Sequence, residues 1–350
     1  MSSKYFEDLN ETIKQYFNIL SKEIPEFLYD YIDTKEMQKQ KGISVSCGTF
    51  YSKLYNINLW YSSLDHSVAT ALIVWNFTKD KKQTLSALFH DIATPTFKHC
   101  IDFMNGDYEN QESTEDLTTK IISDSKQIME LLNRDGIKLE EVSDYHIYPI
   151  ADNETPKLSA DRLEYSLSNG LGVRKKLWTL EEVKEIYEDI EIQKNEDGIE
   201  ELGFKNKELA EKFVKNVSEL GRLYIVNETK FTMQFLADTM KDMSKKGLIT
   251  KKDLYNMSEQ EVIKLIENCE YNYISKKFKI WKEAQKINES ETLVENRYCV
   301  NIEKVKKRYI NPLVRFESKY VRTGDISDIA KKDIEEILNF KTKKYAYLDF

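Results

Sequence analysis

The stretch SALFHDIATPTFKH, residues 86–99, holds two of the four histidines in this 350-residue chain. A third, His66, lies upstream in LDHSVATALIVWNF, and an acidic residue, Asp161, stands downstream in LSADRLEYSLSNG. Taken together, His66, His90, Asp91 and Asp161 offer two imidazoles and two carboxylates. Such a mixed nitrogen and oxygen shell suits one divalent ion of manganese, magnesium, iron, cobalt, nickel or zinc. It also leaves coordination positions open for water and a substrate oxygen, which hydrolysis requires. No local spacing rule joins the four, and a single histidine or aspartate on a helix is ordinarily a surface or satisfied core group. Helix packing must therefore bring them to one point.

The surrounding patterns are mostly helical. LDHSVATALIVWNFTK places Leu64, Val68, Leu72 and Trp75 on one face and predicts an amphipathic helix carrying His66. KKQTLSALFHD predicts the next helix, which Pro95 bars from extending. YFEDLNETIKQYFNILSKEIPEFLYDYI reads as two short helices broken at Pro25, and GISVSCGTFY as a loop or short connector. Residues 113–133 read as a helix with Ser113 as N-cap and Glu115 and Asp116 in its first turn. The segment LSADRLEYSLSNG predicts a helix ended by Gly170 in a left-handed cap. The turn residues NEDG lie between β-leaning segments and predict a hairpin within 187–205, the only one expected. Ser258 with Glu261 forms a capping-box signature in front of an apolar stripe.

Composition agrees with a mainly α protein. Apolar residues make up 41% of the chain, enough for a core, while proline and glycine total only 16 residues. The four cysteines are scattered without CxxC spacing, so they read as reduced thiols in a cytoplasmic protein. No targeting segment or membrane span is visible. The net charge of −8 disfavours a dedicated nucleic-acid binder, although residues 271–323 carry thirteen Lys/Arg against six Glu. That basic stretch is either a solvated helical face or a surface receiving phosphates. The expected organisation is N-terminal helices over 1–40, a catalytic core over 41–225 and a helical C-terminal lobe over 226–350.

The order His66, His90-Asp91, Asp161 resembles the HD-domain phosphohydrolase superfamily, whose all-α core presents H…HD…D to a divalent metal. LDHSVATALIVWNF, LFHDIATPTFKHCIDF and LSADRLEYSLSNG further resemble the deoxynucleoside-triphosphate triphosphohydrolase branch, which includes bacterial dGTPases and the SAM-and-HD-domain enzymes. The likeness covers roughly residues 40–175, with a fainter echo in VKKRYINPLV, 305–314. It implies His66, His90, Asp91 and Asp161 as metal ligands, His99 near the attacked phosphorus and Asp102 as the carboxylate supporting proton transfer. It also aligns Arg162 with a phosphate-facing base, Tyr165 with a hydroxyl near the sugar and Asn169 with a sugar-binding aspartate. The pattern departs at three places. Thr94 stands where a second catalytic histidine is usual, Ser63 replaces an arginine, and Gln111-Glu112 replaces a His-Glu pair.

The expected activity is therefore metal-dependent hydrolysis of a nucleotide, most directly a deoxynucleoside triphosphate. His99, Asp102 and Glu112 would be the catalytic groups, and Lys98, Arg162 and lysines of 304–307 would hold phosphate oxygens. Two alternatives stand beside it: a nucleotide sensor that keeps the fold without turnover, motivated by Thr94, Ser63 and Gln111, and a nuclease using the basic stretch. A dinuclear oxygenase-type site would need two further histidines. His99 and His146 are available, but the PTxFxH setting of His99 belongs to the triphosphohydrolase pattern. The partner expected is a small-molecule nucleotide, without nucleic acid or membrane, and the resemblance implies a homo-oligomer.

Overall fold

Side-chain caps fix where the key helices start, because a helix cannot satisfy its own first N–H groups. Ser62 and Asp65 form a capping box ahead of the His66 helix, Asp80 caps the helix leading to His90, and Ser159 caps the helix bearing Asp161. The computed structural model describes residues 3–57, 59–111, 113 and 117–350, and the chain is mainly α. The first four helices are α1 (Lys4–Glu7), α2 (Glu11–Leu20), α3 (Phe27–Ile32) and α4 (Lys35–Lys39). Next come α5 (Ser63–Thr78), α6 (Lys81–Phe89), α7 (Cys100–Asn105), α8 (Thr118–Asp124), α9 (Lys126–Arg134), α10 (Ala160–Ser168) and α11 (Leu180–Glu188). The strands β1 (Ile190–Lys194) and β2 (Glu200–Phe204) form the hairpin expected within 187–205.

Beyond the hairpin run α12 (Lys207–Ile225), α13 (Asn227–Lys245), α14 (Lys251–Asn256), α15 (Glu259–Glu267) and α16 (Asn272–Glu283). The remaining elements are β3 (Asn288–Ser290), β4 (Tyr298–Val300), β5 (Leu313–Phe316), β6 (Lys319–Arg322), α17 (Thr323–Ile326), α18 (Asp328–Asn339) and β7 (Tyr345–Leu348). The hairpin is thus not alone. Strand β5 pairs in parallel with β2 and antiparallel with β6, giving the order β1-β2-β5-β6, while β3, β7 and β4 form a separate antiparallel sheet. These late strands are three or four residues long, too short for alternation in the sequence to announce them.

Other local expectations shift for identifiable reasons. The N-terminal segment breaks twice, because Asn10 caps a second start before Pro25 is reached. The helix read over 113–133 is two helices, since Ser125 leaves helical geometry and caps α9 by accepting from Ile128 N–H; Glu115 and Asp116 lie outside the described residues. Helix α5 is not amphipathic: every residue from Ser63 to Val74 is buried. Gly170 is not the left-handed cap either. Helix α10 widens into a turn at Asn169–Val173, and the positive φ (146°) falls on Gly172. Gly170 is needed for close approach, because a Cβ there would lie 2.5 Å from Nε1 of Trp178.

Two apolar clusters carry the fold. One joins the N-terminal helices to α5, α6 and α10–α12; the other joins Phe97 and α7 to α13–α16 and the β4–β7 sheet. No helix among the described residues is long and apolar enough to cross a membrane.

Glu259, the first residue of α15, is fully buried and accepts from Ser44 N–H at 3.2 Å. Burial pushes its carboxyl from the ordinary 4.5 up to about 8, only partly offset by the hydrogen bond from Ser44 N–H. Folding therefore favours the protonated acid. Its contribution is intact below the ordinary value and is lost as pH rises towards about 8. The melting temperature of wild type, measured against that of Glu259→Gln by circular dichroism, should decline steadily across that window. A constant difference would show that Glu259 does not titrate there.

Candidate metal centre and adjoining cavity

Helix α5 packs against both α6 and α10 and so brings the predicted ligands together. His66 lies in the first turn of α5, His90 and Asp91 follow the last residue of α6, and Asp161 sits in the first turn of α10. The Nε2 atoms of His66 and His90 stand 3.1 Å apart, and Asp161 Oδ1 lies 3.1 Å from the first and 3.6 Å from the second. Asp91 Oδ2 is 3.8 Å from both. The three groups His66, His90 and Asp161 form the tight cluster. Asp91 stands slightly outside it, because Ser63 Oγ donates to its Oδ2 at 3.1 Å and Lys98 Nζ does so at 2.5 Å.

The partners of the other ring nitrogens fix both tautomers. His90 Nδ1–H donates to the Ala87 carbonyl at 2.6 Å, and His66 Nδ1–H to Glu164 Oε2. Acceptors of that kind keep a proton on Nδ1, so each Nε2 is the nitrogen turned towards the centre. Two bare lone pairs at 3.1 Å would repel, so a proton or a metal ion must lie between them. With ligand bonds of about 2.0–2.2 Å, donors at right angles around one ion stand about 3 Å apart, which is the spacing found. The donor set thus fits a divalent metal.

Glu164 was not singled out from the sequence. It is fully buried, one turn beyond Asp161, and its Oε1 also accepts from Tyr61 Oη at 2.6 Å and Tyr16 Oη at 3.2 Å. The signal available was its i,i+3 spacing from Asp161, which puts both carboxylates on one face of α10. Burial disfavours charge on His66, but Glu164 and Asp161 outweigh it and raise the imidazole to about 10. The carboxylates therefore create a strong preference for positive charge at this point.

The turn between His90 and His99 is anchored from both sides. Lys39 Nζ and Gln40 Nε2 hold the carbonyls of Thr94 and Ile92, each at 2.7 Å. Thr96 N–H donates to the Leu254 carbonyl at 2.8 Å, and its hydroxyl donates to the Met257 carbonyl. This delivers His99 to the start of α7. His99 Nδ1–H donates to Asp102 Oδ2 at 2.9 Å, while the fully buried Asp102 accepts from Ser113 Oγ at 2.6 Å through its other oxygen. His99 Nε2 accepts from Arg308 at 3.2 Å, and the same guanidinium nitrogen donates to Gln111 Oε1 at 3.1 Å. Arg308 lies within the stretch 305–314 but was not picked out, because only the tertiary path of that segment carries it here. Glu112 lies outside the described residues.

These groups line one cavity of about 550 Å³, which also includes Tyr165, Asn169 and Lys306. The Arg308 guanidinium lies 5.9 Å from the centre of the Tyr165 ring. Asn169 donates to Tyr224 Oη at 2.8 Å at the end away from the histidines. Arg162 borders the cavity with its charge already engaged: it binds Asp152 at 2.7 Å and the Asn153 carbonyl. The basic stretch 271–323 contributes Lys306 and Arg308 to the lining.

No protein-family model matches the chain. An uncharacterised protein of Bacillus subtilis, YdhJ, is 22% identical over 334 residues, covering 92% of this chain and 94% of the relative. The metal-dependent phosphohydrolase cns2 of Cordyceps militaris is 26% identical over 153 residues, 42% of this chain and 41% of that protein. Among solved structures, a hypothetical protein from Aquifex aeolicus superposes with a TM-score of 0.64 at 14% identity, covering 93% of each chain. A phosphohydrolase from Bacteroides thetaiotaomicron superposes with a TM-score of 0.59 at 13% identity, covering 93% of this chain and 96% of that one. The chain shares its overall fold with both structures.

If Glu164 orients His66 and makes it a better donor, Glu164→Gln should weaken manganese binding by about 10- to 100-fold, the usual cost of losing such a partner. Calorimetric titration measures this directly, and an unchanged affinity would remove Glu164 from the metal centre.

Proposed function

We propose that the chain is a metal-dependent phosphohydrolase acting on a nucleotide, most directly a deoxynucleoside triphosphate. The observation that carries this reading is the convergence of the two imidazole Nε2 atoms and Asp161, at the wall of a cavity that also holds His99, Lys98 and Arg308. The phosphohydrolase names of the Cordyceps relative and the Bacteroides structure support the reaction class. The resemblance of the motifs to the triphosphohydrolase branch supports the substrate. The cavity volume lies within the range of small-molecule sites.

A divalent ion bound at His66, His90, Asp91 and Asp161 supplies polarisation of a phosphoryl oxygen and acidifies water. The chain supplies the rest. Lys98 and Arg308 meet the phosphate oxygens, since phosphoryl transfer depends on positioning and charge. His99, with its Nδ1 proton committed to Asp102, turns its Nε2 lone pair into the cavity; Arg308 holds it there, and once that guanidinium engages a phosphate the lone pair accepts a proton from the attacking water. Asp102 holds the ring in that tautomer and stabilises the imidazolium once formed. The Asn169–Tyr224 end of the cavity takes the sugar, and Tyr165 lies along the path between them.

A binding-only reading draws on one observation: Arg162 and Lys98 are both already paired with carboxylates, at 2.7 and 2.5 Å. Turnover separates the two. Purified protein with manganese should release phosphate, pyrophosphate or triphosphate from one member of a nucleotide panel over many cycles, and His90→Ala should not. Binding without product would favour the sensor, and wild type indistinguishable from His90→Ala would end the enzyme reading.

The protonation of His99 gives a second test. Burial and the Arg308 charge lower its pKa below the ordinary 6.5, with Asp102 opposing. The neutral ring is therefore the form present at neutral pH, and kcat/KM should fall on the acid side with a midpoint below that value. Asp102→Asn removes the opposing influence, so it should lower kcat and move the midpoint further towards acid. An acid limb that Asp102→Asn leaves in place would mean that another group sets it.

A further inference from the structure

Hydrolysis of a phosphate ester moves two protons. One leaves the attacking water for His99, and another must reach the departing oxygen unless that oxygen is already a stable anion. Thr94 stands where the motif usually carries a second histidine, and a threonine hydroxyl is too weak an acid to serve at neutral pH. The chain has one histidine left, His146, and it lines the same cavity. It lies in the short turn Tyr145–Ile147 between α9 and α10. Two backbone hydrogen bonds stitch the segment after this turn to the start of α10. Ala160 N–H donates to the Ile150 carbonyl at 2.8 Å, and Asp161 N–H to the Ala151 carbonyl at 3.2 Å.

The Tyr145 ring lies 5.2 Å, centre to centre, from the His90 ring, and the His146 ring lies 4.4 Å from that of Tyr145. His99 adjoins the cluster elsewhere, since it follows Lys98, whose ammonium sits on Asp91. One histidine thus approaches past Asp91 and the other past His90, which suits a displacement in which water enters and the leaving oxygen departs on different sides of phosphorus. Two carboxylates frame the His146 ring. Asp144 Oδ1 accepts from Nδ1–H at 2.9 Å and from the His146 backbone N–H at 3.0 Å, which ties the imidazole to its own turn. Nε2 faces Asp152 Oδ2 at 3.5 Å, the outer limit of a hydrogen bond, so a proton there can pass to a closer acceptor. The side chain of His146 is 56% exposed, against 31% for His99, so solvent can reprotonate it after each turnover.

We propose that His146 is the general acid of this centre and that its Nε2 proton goes to a sugar hydroxyl oxygen leaving phosphorus. The water oxygen bonds to phosphorus as its proton passes to His99 Nε2. The bond from phosphorus to the sugar oxygen breaks, and that oxygen takes the proton from His146. His99 then gives its proton to solvent and His146 regains one from it. A condensed phosphate departs as a stable anion without such help, so the acid has work only where the sugar alcohol is the leaving group. This inference rests on the phosphohydrolase reading given above.

The test compares two leaving groups on the full chain with manganese. One substrate is the nucleotide turned over in the panel described above; the other is its counterpart with sulfur in place of the bridging sugar oxygen, which departs as a thiolate and needs no proton. His146→Gln should lower kcat at least about 100-fold with the oxygen substrate and leave it nearly unchanged with the sulfur one. Asp144→Asn, which acts through Nδ1, should show a smaller loss with the same insensitivity of the sulfur substrate, and it carries the test should His146→Gln not fold. Equal losses with both substrates, or no loss with either, would overturn the proposal. A wild type that turns over no nucleotide would instead end the enzyme reading itself.

Discussion

Two imidazole Nε2 atoms held 3.1 Å apart form an arrangement that only a shared positive charge, a proton or a metal ion, can stabilise. Much of the surrounding structure serves that constraint. The Ala87 carbonyl and Glu164 fix the two tautomers from behind. Glu164 in turn is kept in place by Tyr16 and Tyr61. A buried carboxylate is costly unless hydrogen-bonded and matched by positive charge. Here the match comes from whatever cation the imidazoles share, so the burial of Glu164 and the capacity to bind a cation are one energetic fact. Helix α5 is buried along most of its length, which gives His66 the rigid support such an arrangement needs.

The centre lies at the seam between the two apolar clusters. The side chains of the candidate metal cluster belong to helices of the first, while His99 and Asp102 are carried by α7 in the second. The segment between His90 and His99 crosses that seam. It is tied to α4 and Gln40 on one side and to α14 and Met257 on the other. Arg308 reaches His99 from a segment flanked by the two sheets, β4 preceding it and β5 following. No part of the chain builds the cavity alone, which links the chemistry to the folding of both halves.

Some of this was legible beforehand. Residue type and order picked out His66, His90, Asp91 and Asp161, because metal chemistry restricts which side chains can serve. The cap at Ser258 and the NEDG turn follow short-range rules, and these placed that helix start and the hairpin correctly; the cap expected at Ser113 did not hold, since α8 starts at Thr118 and the Ser113 hydroxyl donates to Asp102 instead. Glu164 was missed because its role depends on tyrosines more than a hundred residues away in sequence. Arg162 was expected to face the phosphates, whereas Asp152 holds it; pairing between a helix and the preceding loop leaves no periodic trace. The late strands went unseen because three or four residues carry too little pattern.

What the sequence determined by itself was therefore chemical and local: a mixed nitrogen and oxygen donor set, the helices that bear it, and a His-x-x-Asp pair beside it. These follow from side-chain identity and from interactions spanning a few residues. What only the tertiary structure decided was convergence: the spacing of the donors, the burial of Glu164, the arrival of Arg308 and the turning of Lys98 onto Asp91. Each of these joins segments far apart in the chain. Their energies come from packing and desolvation, which depend on neighbours brought close by folding and not on order along the backbone.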